Sequence, residues 1–276
     1  MTLPELRAGQ ATVPQRLLST AAACPGQRAL AGGAAGPGRS YAELAAAIQQ
    51  AAAGLAARGL LSRDVVGVMV PDAACHVLAT LAVRAAGGVP SPVRAGLSVP
   101  EMAGQLADCG ARMLLTGPPL AAAALAAADR SWVRQVISFG DAAGATPFTE
   151  LLRAGTMPPA PARPDELALL PYQRQPGGCL AAAAVTQHDL AGQLAGLAVT
   201  AAICARDVVL AGPPAGDGRA YTALLDHALC SGAAVIAVPA GQVAAEAARY
   251  QATVAITAES VPAGTGDQLR VLAVAS

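Results

Sequence analysis

Short apolar runs alternate with amphipathic stretches along this chain, and the alternation is the first thing that places its elements. Val65-Val-Gly-Val-Met-Val70 has no polar residue and stops at Pro71, as expected of a strand buried on both faces. Ser40-Tyr-Ala-Glu43 reads as a capping box, and the following run to Arg58 carries apolar residues at helical spacing until Gly59. Ser98-Val-Pro-Glu101 repeats that signature, with Pro in the first turn and an end near Gly110. Further strands are predicted at 112–116, 135–139, 167–171, 207–211, 233–238, 253–257 and 269–274. Helices are predicted through 86 after the first strand, and at 119–128, 147–154, 188–203, 220–231 and 242–250. Alternation of this kind predicts an α/β fold with mainly parallel sheets flanked by helices. Residues 155–165, with four prolines, read as a connector between a first α/β lobe (1–154) and a second (166–276).

Composition narrows the partners. Eighteen basic and eighteen acidic residues give a net charge of zero, so nothing electrostatic favours nucleic acid or an anionic membrane. The hydrophobic fraction of 54% is largely alanine, and the longest weakly polar stretch, 190–205, is interrupted by Gln193. It does not read as a membrane span. The segment Met1-Thr-Leu-Pro-Glu-Leu-Arg7 lacks the basic-then-apolar order of a signal peptide, so a cytoplasmic location is expected. All basic residues are arginine, and without lysine the chain has no Schiff-base chemistry and no lysine phosphate clamp. Six scattered cysteines are expected to be small core residues, and the three histidines share no metal-ligand spacing.

Candidate chemistry concentrates between Glu166 and Leu190. The run Glu166-Leu-Ala-Leu-Leu-Pro-Tyr172 leads into Gln173-Arg-Gln-Pro-Gly-Gly-Cys179, then a second short run, then a helix. Such a strand–turn–helix frame suits backbone amides to an anion. Arg174, Gly177, Gly178 and Cys179 are the residues that could form a small anion or thioester site, against the simpler reading of a drifted surface loop. Cys179 and His188 form a conceivable nucleophile–base pair with no visible orienting carboxylate. Asp217 and Arg219 are expected to pair on the surface, and His76 and His227 to be helix residues with structural roles.

Four segments carry a family resemblance. Thr12-Val-Pro-Gln-Arg-Leu-Leu with Cys24 to Leu30, Ser40 to Val70, Leu81-Ala-Val-Arg-Ala-Ala-Gly-Gly-Val-Pro90, and Glu166 to Leu190 with Asp207 to Ile236 resemble adenylate-forming enzymes. These comprise acyl-CoA synthetases, 4-coumarate–CoA ligases and peptide-synthetase adenylation domains, and the likeness is to the N-terminal half of their large domain. The resemblance implies a phosphate loop reading Tyr-Ser/Thr-Ser-Gly-Thr-Thr-Gly-x-Pro-Lys-Gly. Here Tyr172 and Gly178 keep their places, the intervening positions are Gln173 to Gly177, and the lysine position is Ala181. Pro176 removes an amide donor. Loss of one donor aimed at developing charge costs about 2.7–4 kcal/mol of transition-state stabilisation. The family's histidine motif is replaced as well, with Asp217 at the histidine position.

The chain closes on Leu269 to Ser276, about where the family's next motif would begin, and the later adenine, ribose and mobile-domain segments do not follow. The resemblance therefore implies no catalytic residue, weak or lost ATP and magnesium binding, and no acyl-adenylate formation by this chain alone. The expected role is an accessory protein binding a partner or a small acyl ligand, as a homodimer or with a ligase or carrier-protein system. The alternative is a repurposed enzyme acting on an acyl or acyl-CoA-type substrate in the old cleft.

Overall fold

Reciprocal capping fixes where three of the helices begin. The Ser40 amide donates to Glu43 Oε2 (2.7 Å) while Ser40 Oγ accepts from the Glu43 amide (3.3 Å), and Ser98–Glu101 and Thr186–Asp189 repeat the exchange. The computed structural model describes residues 11–33, 38–260 and 269–274, so the Met1–Arg7 segment lies outside the described residues. In chain order the elements begin with α1 (Val13–Ala23), β1 (Arg28–Gly32), β2 (Arg39–Ser40), α2 (Tyr41–Ala57) and β3 (Val65–Met69). They continue with α3 (Ala73–Ala85), β4 (Val89–Pro92), α4 (Val99–Asp108), β5 (Met113–Thr116), α5 (Ala121–Ala128), β6 (Gln135–Ser138) and β7 (Thr146–Pro147). Next come β8 (Leu167–Leu169), β9 (Tyr172–Arg174), β10 (Leu180–Ala182), β11 (Val185–Thr186), α6 (Gln187–Thr200) and β12 (Val208–Ala211). The last are α7 (Arg219–Cys230), β13 (Ala234–Ala237), α8 (Val243–Tyr250), β14 (Val254–Thr257) and β15 (Arg270–Ala273).

Two larger sheets result. A five-stranded parallel sheet runs β4-β3-β5-β6-β7. A six-stranded sheet runs β15-β14-β12-β13-β1-β2, parallel except for the antiparallel edge strand β2. It takes strands from both sides of the Pro-rich connector, because β1 docks in parallel register on β13, Leu30 opposite Val235. The α/β architecture with helix-flanked parallel sheets is the one the periodicity predicts.

Helix α3 has every one of its 13 residues buried and packs against α2, α7 and strands of both sheets. A helix buried all round is a core helix, and its polar residues need internal partners. Arg84 finds them on α7: Nη1 and Nη2 donate to Asp226 Oδ2 and Oδ1 at 2.7 and 2.8 Å, with both side chains 3% exposed. His76 Nε2 lies 2.8 Å from Thr222 Oγ1, and burial first, then the Arg84 charge, lowers its pKa to about 3. The Tyr41 hydroxyl donates into the same interior, with the carbonyl oxygens of Leu229 and Ala233 at 2.9 and 2.8 Å.

Several sequence expectations need correction. The helix predicted at 147–154 is a 3₁₀ segment, Phe148–Arg153, following the extended Pro147. Helix α6 stops at Thr200 rather than 203, because Ala202 takes a left-handed backbone (φ 47°) and its amide turns back to the Leu197 carbonyl. Cys179 and Cys204 are exposed in turns instead of packed in the core, whereas Cys75 is buried. No helix among the described residues is long and apolar enough to cross a membrane.

Candidate functional site

The segment that reads as a phosphate loop folds as a β-hairpin. Strand β9 pairs antiparallel with β10, placing Leu180 opposite Arg174, Ala181 opposite Gln173 and Ala182 opposite Tyr172. At the tip, the Gln175 amide donates to the Cys179 carbonyl (2.8 Å) and the Gly178 amide to the Gln175 carbonyl (2.9 Å). Gly177 and Gly178 turn the chain with φ of 103° and 90°, conformations that favour glycine. Two tip amides are thus committed to the turn itself, and Pro176 supplies none.

Arg174 is committed too. Its Nη1 donates to the Gly178 carbonyl and its Nη2 to Glu101 Oε1, both at 2.6 Å. The anion-site reading that joined Arg174, Gly177, Gly178 and Cys179 therefore meets an arginine already clamped between the hairpin tip and the first turn of α4. Glu101 serves the cap and the clamp with different oxygens: Oε2 accepts from Ser98 and Oε1 from Arg174. The Ser98 hydroxyl, then Arg174, hold its carboxyl down at about 2.

Tyr172 is 4% exposed and its hydroxyl donates to Asp108 Oδ2 at 2.5 Å. Burial first, then this carboxylate, push the phenol well above its ordinary value. Asp217, 44 residues downstream of Gln173, meets it directly: Gln173 Nε2 donates to Asp217 Oδ2 at 2.7 Å. The other carboxylate oxygen accepts from the Arg219 amide at 2.9 Å, across Gly218, the N-cap residue of α7. Arg219 does not pair with Asp217 through its side chain, as the sequence suggested. Instead its guanidinium faces the Gln193 carboxamide, whose oxygen, with the amide flipped end for end, accepts from Nη2 and Nε at 2.5 and 2.9 Å. Gly218 between them has φ 81°, and a Cβ there would lie 2.5 Å from Pro92 Cβ.

Tyr172, Arg174 and Asp217 thus come together on one cleft of about 1030 Å³, between the hairpin, α6, α7 and β15. Its floor is apolar, with Leu197, Ala223, Leu224 and Val271. Arg94, just beyond β4, also lines it and has no ion pair or side-chain hydrogen bond among the described residues. Gly178 lines a smaller neighbouring hollow with Cys179 and Asp108, and Ala181 presents only a methyl group on β10. Cys179 at the hairpin tip and His188 in the first turn of α6 share no hydrogen bond, and the His188 amide is held by the Pro164 carbonyl. His227 is buried beside Asp226, yet Asp226 serves Arg84, and His227 Nε2 has no partner among the described residues. Burial and then Arg16 lower its pKa. No cluster of three His, Cys, Asp or Glu residues able to hold a metal occurs among the described residues.

Residues 17–261 match the AMP-binding enzyme family. The chain belongs to that family. Its fold is similar to that of a long-chain-fatty-acid-CoA ligase from Archaeoglobus fulgidus, with a TM-score of 0.81 at 18% identity over 93% of this chain. A putative long-chain-fatty-acid CoA ligase from Rhodopseudomonas palustris gives the same TM-score at 19% identity over 97% of the chain and 70% of its own. MbtA from Mycobacterium smegmatis gives 0.75 at 25% identity, over 90% of this chain and 49% of its own. A hybrid PKS-NRPS synthetase, pynA of Aspergillus niger, is 33% identical over 123 residues, which is 45% of this chain and 3% of that protein. The chain spans 53% of the Archaeoglobus ligase, about half its length.

The frame of the site was readable from Tyr172, Gly178 and Asp217. Its wiring was not. Glu101 carried a sequence signal only as a helix cap, and Asp108 and Gln193 carried none, since their partners are remote in sequence.

Proposed function

We propose that this chain keeps the adenylate-forming fold as a binding module that does not itself form acyl-adenylates, and that its cleft holds a small acyl ligand for a partner system. The observation that carries this reading is the closed wiring of the loop. Arg174 is spent on Glu101 and the hairpin carbonyl, and Gln173 is spent on Asp217. Two of the tip amides, those of Gln175 and Gly178, bond within the turn, so these groups already hold partners that a nucleotide would have to displace. ATP and magnesium are therefore not part of the proposed role.

The ligand class follows from the lining. Leu197, Leu224 and Val271 offer apolar surface for a hydrocarbon chain, and the unpaired Arg94 offers a cation for a carboxylate or thioester head. A compact acyl group satisfies both. Equilibrium dialysis with radiolabelled decanoate tests it: saturable binding, unchanged by added ATP and magnesium and about tenfold weaker in Arg94→Ala, is expected. No saturable binding, or binding that requires ATP, overturns the reading.

A further inference from the structure

Three adjacent parallel strands, β3, β5 and β6, begin along one edge of the five-stranded sheet, opposite the edge where their C-terminal ends lie. Neighbouring strand starts are about 5 Å apart, so the residues just ahead of them form a row. Those residues are unusual. Trp132, the sole tryptophan of the chain, is 66% exposed, and Leu61 is 67% exposed. Two hydrogen bonds join their loops into one surface: the Arg134 amide donates to the Arg112 carbonyl (2.8 Å), and Gln135 Nε2 donates to the Arg58 carbonyl (3.0 Å).

Arginines surround the tryptophan. Exposure alternates through the turn, with Arg130, Trp132 and Arg134 outward and Ser131 and Val133 half-buried. Arg112, Arg130 and Arg134 have no ion pair or side-chain hydrogen bond among the described residues. Elsewhere on the rim Arg58 pairs with Glu150 and Arg63 with Glu166, while Asp64 accepts from the Leu61 amide and keeps its negative charge. Asp129 in the same turn and Asp64 across the rim offset two of the three free cations, leaving an excess of one. In a chain of zero net charge, this is a local excess of positive charge around exposed apolar surface.

We infer that this rim is a protein-docking surface, and that its partner presents acidic side chains around an apolar ridge. A tryptophan offers a large apolar area for contact, and aromatic and arginine residues are the types that carry interface energy. Small ligands in parallel α/β sheets gather at the C-terminal ends of strands, so a small-molecule site is not indicated here. Three arginines on a protein of zero net charge are few for a nucleic-acid backbone. The inference stands apart from the cleft and does not depend on what the cleft binds.

The lone tryptophan is its own reporter. The full chain is titrated with a synthetic amphipathic Glu/Leu helix, with a Lys/Leu helix of equal length in parallel, and tryptophan emission is followed. A saturable blue shift with the Glu/Leu helix alone is expected, weakening at least about tenfold when Arg112, Arg130 and Arg134 are changed together to Glu. Anisotropy of a labelled Glu/Leu helix should show a comparable loss for Trp132→Ala. An Arg→Gln set replaces the Glu set if thermal melts show that charge reversal disturbs folding. The proposal is overturned by no saturable shift, or by equal affinity in the arginine variants. It is equally overturned by an equal response to oligo-dT or anionic vesicles, or by a shift on concentrating the protein alone, which would assign the surface to another copy.

Discussion

Two polar clusters in this molecule are built from similar side chains and live under opposite constraints. Between α3 and α7, Arg84, Asp226, His76 and Thr222 are sealed in the core. At the cleft, Gln173, Arg174, Asp217 and Glu101 make comparable contacts while facing solvent. In the interior a missing partner leaves a desolvated charge, so the cluster holds two helices in one arrangement. At the surface water replaces any lost partner, so loop chemistry can be exchanged at small cost to stability. The fold therefore depends on the buried cluster far more than on the side chains of the β9–β10 hairpin.

The contrast can be broken most sharply at Asp226. Asp226→Ala strands Arg84 and should destabilise by about 3–5 kcal/mol in urea unfolding. A loss below about 1 kcal/mol would mean the interior pair does not lock the helices. Acid should find the same weakness. The His76 pKa in the folded protein is about 3, below the ordinary 6.5, so the unfolded chain binds the extra proton between those values. Stability is then full above about pH 6.5 and falls as pH drops toward 3, by about 1.4 kcal/mol per pH unit. His227, also lowered by burial, adds to the same trend. Unfolding of His76→Gln across pH 4–6 should show a shallower slope than wild type, and an unchanged slope would contradict the assignment.

Gly218 joins the two regions, since it is the N-cap of α7 and links Asp217 to that helix where the chain passes Pro92. Gly218→Ala should cost about 1–2 kcal/mol from the left-handed backbone alone, with the Pro92 contact adding to it. Thermal melts compared with a substitution at the open Gly192 give the control. The smallest effect belongs to the hairpin clamp. Arg174→Ala should change stability by about 0–1 kcal/mol, since both partners are largely solvated. A loss of several kcal/mol would show that the clamp is structural.

The sequence carries these regions unequally. Apolar runs and capping pairs lie within a few residues of one another, so β3, β5, α2 and α4 were legible from Val65–Val70, the Leu-rich run before Thr116, and the two Ser-x-x-Glu boxes. Thr186-Gln-His-Asp189 holds a related signal for α6, with Asp in place of the Glu of the two Ser boxes. The left-handed Ala202 that ends α6 has no sequence signature, because alanine seldom adopts that backbone. The Gln173–Asp217 and Tyr172–Asp108 contacts join residues 44 and 64 apart in the chain, and no local pattern reveals them. The hairpin conformation of the loop was hidden for a related reason. Its frame resembles the family, and its side chains depart from the family's loop without showing what they bond.

The central proposal is that this chain keeps the adenylate-forming fold without itself forming acyl-adenylates. ATP–pyrophosphate exchange measures it directly, with the purified chain, magnesium, labelled pyrophosphate and a panel of carboxylic acids from acetate to palmitate. The account predicts no exchange above the no-enzyme background with any acid. Acid-dependent exchange that tracks the purified chain and falls in Arg174→Ala would contradict it.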